Sequence, residues 1–300
     1  MMSYLSIVFA DLLLGVFFIC NKKYQSISGS SLKEGLKTNM FIGFIGCLTF
    51  LIIKGFTFSV TPFSFLMALL SNSASALYTI LGLKILKNGK ASIYAMFLMS
   101  GGMILPFLYG VIFGNETINA LRIIGIIAII IAIIFTNFDN VKPTKKQVAI
   151  SIIVFFLNGA ISIISKIHQS IPMNSVDTGS FVIIGSLLKG IICLIIFIFI
   201  SILDKEKGIA IKNDIKKVIN IRQNIIPILL LLLVGLSNVI SSYCILTGAI
   251  NVPATVLYPL ISGGSIFLTT VLDLIIFKEK PNKFLVIGII LCIVGIVCFI

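Results

Sequence analysis

The feature that most constrains this chain is that its second half repeats marker residues of its first half in the same order. Ser100-Gly101-Gly102 recurs as Ser262-Gly263-Gly264. Each copy precedes a glutamate, an asparagine and a glycine that share one sequence offset between the halves: Glu116 and Glu279, Asn119 and Asn282, Gly125 and Gly288. Upstream of these, Gly15, Lys22 and Gln25 match Gly159, Lys166 and Gln169. A repeat on this scale predicts two structurally equivalent units.

Composition places both units in a membrane. Of the 300 residues, 58% are hydrophobic and 11% are charged, whereas soluble proteins carry about 25% charged residues. The net charge of +13 does not indicate nucleic-acid binding, because the lysines lie in short connections between apolar segments and form no continuous basic stripe. We see no small-residue cleavage site after the first apolar segment, so we expect a membrane span and not a removed signal peptide.

Ten segments are long and apolar enough to cross a bilayer, which takes about 20 residues of helix. They are Ser3–Asn21, Leu36–Ile53, Pro62–Leu86, Ala91–Phe113, Ile118–Thr136, Val148–Ile167, Gly179–Leu203, Ile225–Ala249, Pro253–Phe277 and Phe284–Ile300. This predicts an all-α membrane protein whose ten transmembrane helices form two five-helix repeats, in residues 1–141 and 142–300. Because each repeat holds an odd number of spans, the second is inverted in the bilayer, an arrangement typical of transporters.

The distribution of basic residues predicts the orientation. Of 23 Lys and Arg residues, 19 lie in the connections after spans 1, 3, 5, 7 and 9, and three lie after spans 2, 4 and 6. The positive-inside rule therefore places the odd connections in the cytoplasm and both termini outside it. The remaining lysine, Lys189, lies within a span.

Polar groups inside spans are costly, so they usually face a cavity, another helix or a partner. Lys189 is interpreted either as a cavity lysine that attracts an anionic substrate group or as a lysine that pairs helices or extends to the membrane surface. Asp11 is the one carboxylate deep in the first span. It is either a proton or coupling-ion site or an acid near the outer surface.

The other candidates for a central cavity are uncharged. Asn72 and Asn238 lie on matching polar faces of spans 3 and 8, where they either line a shared cavity or hold helices together. The remaining cavity candidates each allow cavity and packing interpretations: Tyr78, Tyr94, Asn158, Tyr243 and Tyr258. His168, the only histidine, lies at a span end, and we expect a surface residue there without a catalytic role.

Glycines and prolines mark spans 4 and 9 as places where helices touch or bend. Gly lets backbones approach closely, and Pro leaves a carbonyl without its helical partner. The residues concerned are Gly101, Gly102, Pro106, Pro259, Gly263 and Gly264. They fit helices that move during transport, and they fit static tight packing equally well.

The chain resembles the EamA-type transporters of the drug/metabolite transporter superfamily. The resemblance rests on Gly15 through Lys22, on Phe113-Gly114-Asn115-Glu116 followed by Gly125, and on Phe277-Lys278-Glu279-Lys280 followed by Gly288 and Gly295. It implies a secondary transporter without ATP hydrolysis, with helices 1–4 and 6–9 around a central cavity and helices 5 and 10 at the periphery. Many members keep both termini in the cytoplasm, whereas the basic residues here place them outside.

We therefore expect a multi-pass transporter of the bacterial plasma membrane that moves a small metabolite, with an amino acid or a derivative favoured by the resemblance. One alternative is a multidrug or organic-cation exporter, with Asp11 as its acidic residue. Another is a non-transporting scaffold or an intramembrane enzyme, although no phosphate loop, zinc spacing or hydrolase motif occurs. The expected partners are a small-molecule substrate and the lipid bilayer, without nucleic acid, metal or cofactor, and a homodimer is left open.

Overall fold

A computed structural model describes residues 2–29, 31–86, 91–137, 144–171, 173–206, 225–277 and 282–299. The described part of the chain contains ten helices and no strand. They are α1 (Met2–Ser28), α2 (Leu32–Ile53), α3 (Pro62–Leu86), α4 (Ala91–Ile112), α5 (Ala120–Thr136), α6 (Lys145–Ser170), α7 (Thr178–Glu206), α8 (Ile225–Asn251), α9 (Ala254–Phe277) and α10 (Lys283–Val297). The predicted all-α class is confirmed. The boundary between residues 141 and 142, and Glu279, lie outside the described residues.

Eight of these helices are long and apolar enough to cross a membrane. The other two, α5 and α10, are apolar but have 17 and 15 residues, fewer than the roughly 20 that span the hydrocarbon core without thinning it. A multi-pass membrane protein is therefore confirmed. A count of ten spanning helices stays a prediction.

Asparagines that match between the halves begin the two short helices. The side chain of Asn119 accepts a hydrogen bond from the Arg122 amide at the start of α5. The side chain of Asn282 does the same for the Leu285 amide at the start of α10. Each supplies a partner for an amide that has none within its helix. The repeated asparagine therefore has one local role at both positions.

Pairwise helix contacts build the bundle. α1 packs against α8 and α9, α2 against α7 and α8, α3 against α6 and α7, α4 against α6 and α9, and α5 against α10. Buried apolar side chains form two clusters. One surrounds α9, with contributions from α4, α5 and α10, and the other lies among α2, α7 and α8. Large apolar side chains are exposed on many helices, as expected where the solvent is lipid.

The repeated glycines lie where helices touch. A Cβ atom added to Gly101 on α4 would lie 2.1 Å from the carbonyl oxygen of Phe155 on α6, so this crossing requires glycine. A Cβ atom added to Gly263 on α9 would lie 3.1 Å from the side chains of Ile129 and Ile296, a tight contact with flexible side chains and not with backbone. Pro106 and Pro259 lie inside α4 and α9.

Candidate functional site

A polar cavity of about 150 Å³ lies among α2, α3, α7 and α8. Apolar residues of the α2–α7–α8 cluster, such as Phe181 and Val239, form part of its wall. The polar part of the wall comes from three helices: Ser71 and Asn72 of α3, Ser186 and Lys189 of α7, and Asn238 and Ser242 of α8. This combination of apolar wall and few polar groups is the usual composition of a small-molecule site.

Lys189 is the only charged residue on the described wall of the cavity. No hydrogen bond or ion pair to its ammonium group occurs among the described residues, and no carboxylate lines the cavity with it. In a low-dielectric bundle a cation without a partner attracts an anion strongly, by about 4 kcal/mol at 4 Å for an effective dielectric constant near 20. The cavity is therefore electrostatically suited to a negatively charged group.

Two asparagines from neighbouring helices line the cavity together with this lysine. The amide nitrogen of Asn72 donates to the carbonyl oxygen of Ala68, at 2.8 Å, which fixes the side chain along α3. The Asn238 side chain has no hydrogen bond to any described residue. Its backbone carbonyl accepts from the Ser242 hydroxyl at 2.8 Å. The Asn238 amide is therefore free to donate to or accept from a solute.

Only three of the predicted cavity residues line this cavity: Asn72, Lys189 and Asn238. Tyr243 packs against Phe50, with ring centroids 4.9 Å apart. Tyr258 donates a hydrogen bond of 2.5 Å to the Ser162 carbonyl. Both rings hold helices together in this structure.

The other two predicted tyrosines also lie off the cavity wall. Tyr78 lies beside Ser75 one turn earlier on α3. The ring of Tyr94 on α4 lies against Gly82 of α3, where an added Cβ would meet it at 2.4 Å. Their position indicates packing between α3 and α4.

Asn158 and Asp11 lie at the crossings made by the repeated glycines. The Asn158 amide nitrogen donates to the Leu98 carbonyl at 2.7 Å, beside Gly102. Asp11 lies against Gly264 and is 6% exposed. Neither residue lines the described cavity. The Asp11 side chain is enclosed by neighbouring helices.

Ser186 is a cavity residue that the sequence interpretation missed. It precedes Lys189 by three residues on α7 and so lies on the same helix face. Gly185, four residues before the lysine, lines the same cavity. Projecting α7 at 3.6 residues per turn from Lys189 would have identified both.

The prediction that His168 lies on the surface is wrong. The side chain is fully buried, and its ring stacks on Phe181 at a centroid distance of 3.6 Å. The ring nitrogen Nε2 lies 2.8 Å from the Ser64 hydroxyl, and the same hydroxyl accepts from the Val176 amide. These contacts tie α3 and α6 to the start of α7. A single imidazole at a span end carries no sequence signal that separates this packing role from exposure.

Two repeat markers, Glu116 and Lys166, hold the joint between α8 and α9. Glu116 accepts from the amides of Ala254 and Thr255 at 2.7 and 2.8 Å, and from the Thr255 hydroxyl. Lys166 donates to the carbonyls of Ala249 and Val252 at 2.7 and 2.8 Å. An acid therefore caps the start of α9 and a base caps the end of α8, as the helix dipoles favour. We call Glu116 and Lys166 the α8–α9 clasp.

A second charged contact joins the end of α2 to the start of α7. The Lys54 ammonium lies 2.7 Å from both carboxylate oxygens of Asp177 and 2.9 Å from the Ser180 hydroxyl. Burial alone would raise the pKa of Asp177. The hydrogen bonds from Lys54 and Ser180 and the charge of Lys54 outweigh burial and hold that pKa below its ordinary value.

Comparison with known proteins decides the family. A sequence model of the EamA-like transporter family matches residues 147–300, more than half of the chain. This chain belongs to the EamA-like transporter family. The matched region falls within the second of the two predicted repeats, and the resemblance noted in the sequence is confirmed. A search of curated proteins found no match.

Solved structures show the same fold as this EamA-like protein. Among 28 similar chains, one titled "Crystal structure of protein" has a TM-score of 0.75 at 13% sequence identity. The alignment covers 99% of this chain and 95% of the other. At this level of identity the similarity describes the fold alone.

Proposed function

We propose that this protein is a secondary transporter that moves a small metabolite with an anionic group, such as an amino acid or a derivative, across the bacterial plasma membrane. The observation that carries this proposal is the unpaired ammonium group of Lys189 inside a polar cavity among four helices. Membership of the EamA-like family supports transport as the activity. The cavity chemistry supports a carboxylate or a similar anion as the group recognised.

Alternating access between two inverted repeats is the mechanism that we propose for this movement. The packing supports it, since the contacts of α1 with α8 and α9 have counterparts in those of α6 with α3 and α4. The contacts of α2 with α8 have a counterpart in those of α7 with α3. Such paired contacts are expected when one five-helix unit is related to the other by a pseudo-twofold axis.

The organic-cation alternative gains no support from the cavity. Its acidic residue, Asp11, is absent from the described wall, and the charge that is present is positive. A cation in this cavity would meet Lys189 and be repelled. The scaffold alternative gives no reason for an unpaired lysine beside a free asparagine amide, because burying unsatisfied polar groups costs free energy.

A transport panel in proteoliposomes tests the proposal. The panel should pair each radiolabelled amino acid with its carboxamide, which differs only by losing the carboxylate, and should include tetraphenylphosphonium as an organic cation. We expect uptake of at least one acid and much weaker uptake of its amide. Transport of cations or amides in preference to acids would overturn the anion assignment. Absence of transport across the whole panel would favour the scaffold.

A further inference from the structure

Asp11 on α1 has an unusual environment for a carboxyl group. The side chain is 6% exposed, and its Oδ1 atom is buried without a hydrogen-bond partner. Oδ2 lies so close to Gly264 on α9 that a Cβ added to the glycine would be 2.0 Å from it. Glycine therefore leaves the space that the carboxyl group fills. We call this pair of residues, Asp11 and Gly264, the carboxyl seat.

The described helices that pack on α1 offer no charge to balance Asp11. These helices are α8 and α9, and their titratable groups are engaged elsewhere or uncharged. Tyr258 donates to Ser162, Asp273 pairs with Lys22 at 3.1 Å, and Tyr243 packs on Phe50. The thiol of Cys244 carries no charge and is a weak donor. An ionised carboxylate in the seat would thus be buried and unpaired, which is strongly unfavourable.

The repeat supplies an internal comparison for this seat. Gly102 is the counterpart of Gly264, and it faces the amide of Asn158 at 2.5 Å from an added Cβ. That amide cannot ionise, and it is satisfied by the Leu98 carbonyl. The second glycine of each Ser-Gly-Gly copy therefore accommodates a polar side chain from a facing helix. Only the copy in the second half accommodates a group that can bind a proton.

We infer that the carboxyl seat is a proton-binding site whose occupancy controls the contact between α1 and α9. The bound proton makes the group neutral, so that α1 closes on Gly264. Loss of the proton leaves a carboxylate that requires water, and α1 must then separate from α9 to admit it. This inference rests on the proposed transport function for its consequence, namely that proton binding and solute movement are coupled.

α8 connects the seat to the solute cavity. The Ser241 hydroxyl donates to the Ala10 carbonyl, next to Asp11, at 3.1 Å. The adjacent Ser242, together with Asn238, lines the cavity. A movement of α1 therefore acts on the helix that supplies part of the cavity wall. The proton and the solute would bind at different places and communicate through α8.

Infrared spectroscopy of the purified protein tests for the proton without any solute. We expect a carbonyl-stretch band of a neutral carboxyl group near neutral pH in the wild type. The band should be absent from Asp11→Asn and present in Asp273→Asn, the matched control with an ion-paired acid. A wild-type spectrum without such a band, or a band that persists in Asp11→Asn, would overturn the inference.

Hydrogen exchange of α1 and α9 tests for the movement. After correction for the intrinsic pH dependence of exchange, amides of both helices should exchange at least about tenfold faster near pH 9 than near pH 5 in the wild type. The reason is that an ionised Asp11 favours separation of α1 from α9. A tenfold increase corresponds to a decrease of about 1.4 kcal/mol in the free energy of opening. Asp11→Asn, which cannot ionise, should keep slow exchange throughout. The same pH profile in both proteins would overturn the proposed control of the contact.

A second pair of variants guards against a folding defect in Asp11→Asn. Gly264→Ala places a methyl group at the carboxyl position and should remove both the neutral-carboxyl band and the pH step in exchange. Gly102→Ala makes the same change beside Asn158 and should preserve both. Equal behaviour of the two alanine variants would contradict the inference. If the transport panel shows no movement of any solute, the proposed function is contradicted. The proton-binding site is tested separately, by the infrared and hydrogen-exchange measurements.

Discussion

At the level of single residues, Asp177 links the stability of the protein to pH. Its folded-state pKa lies below the ordinary aspartate value of 3.8 because Lys54 and Ser180 stabilise the charged form. The ionised Asp177 side chain therefore makes its full contribution to the free energy of unfolding above about pH 4. This contribution decreases as the pH falls through the lowered pKa. The side chain is 53% exposed, so solvent screening limits this contribution to less than about 1 kcal/mol.

We predict that Asp177→Asn lowers the thermal midpoint slightly at neutral pH and flattens its decline below about pH 4. The measurement is the thermal midpoint of detergent-solubilised protein against pH. Lys54→Met removes the other partner and should produce a similar loss, and the double variant should lose little more than either single one. Additive losses would show that the two side chains do not act as a pair.

Lys189 is the residue on which substrate charge should depend. Lys189→Met removes a charged hydrogen-bond donor from the cavity. It should weaken the apparent affinity for an anionic solute by about 10- to 100-fold, equivalent to about 1.5–3 kcal/mol. Lys189→Arg keeps the charge and should lose less, and Lys146→Met, at an exposed lysine outside the cavity, should transport normally. Concentration-dependent uptake in proteoliposomes gives the comparison, and an unchanged affinity in Lys189→Met would contradict the assignment.

Cavity residues can be recognised from the sequence only where their side chains are unusually polar for a membrane span. Lys189 and the matched pair Asn72 and Asn238 are unusual inside apolar spans, so composition was enough. The tyrosines carried no such signal, because their rings suit packing and cavity walls equally. In helices that are apolar on most faces, the direction of a side chain depends on helix rotation, which tertiary packing sets. Tyr258 therefore holds α6 in place and does not line the cavity.

At the level of helices, the α8–α9 clasp makes a testable contribution to stability. Glu116→Ala removes the cap from α9 and should lower the free energy of unfolding by about 1–2 kcal/mol. Lys166→Met leaves two buried carbonyls without donors and should cost about 1–3 kcal/mol. Thermal midpoints in detergent measure both effects.

A matched control for the clasp is available on α2. Glu34 pairs with Lys37 one turn away at 2.8 Å, a contact worth about 0.3–0.5 kcal/mol, and its carboxylate also lies beside the Tyr24 hydroxyl of α1. Glu34→Ala should thus shift the midpoint far less than Glu116→Ala. Similar shifts in the two variants would show that the clasp has no special role in holding α8 to α9.

The ends of the helices cannot be located from the apolar segments alone. The apolar pattern predicts that the first segment ends at Asn21, whereas α1 continues to Ser28. Likewise α7 runs beyond Leu203 to Glu206. Hydrophobicity marks where a helix leaves the hydrocarbon, whereas the helix itself ends where its backbone hydrogen bonds end. Lysines such as Lys22 and Lys23 suit the water-facing turns of a continuing helix.

At the level of the whole molecule, the basic residues make a prediction about topology. Reporter fusions in the connections at residues 138–143 and 207–224 should both report a cytoplasmic location. The first connection holds Lys142 and is followed directly by Lys145 and Lys146, and the second holds four lysines and an arginine. Fusions in the connections at residues 113–119 and 171–177 should report the opposite side. Placement of residues 138–143 and 207–224 on different faces of the membrane would contradict the inverted arrangement of the two repeats.

The clasp has a further mechanical meaning. Because Glu116 and Lys166 bind both backbones at the joint, α8 and α9 are fixed to each other and to their neighbours at one end of the bundle. Any relative tilt of α9 then pivots there. The 24 residues of α9 extend about 36 Å at 1.5 Å per residue. A tilt of about 10° would carry the distant end through about 6 Å while the pinned end stays in place, which is the kind of one-sided movement that the proposed mechanism requires.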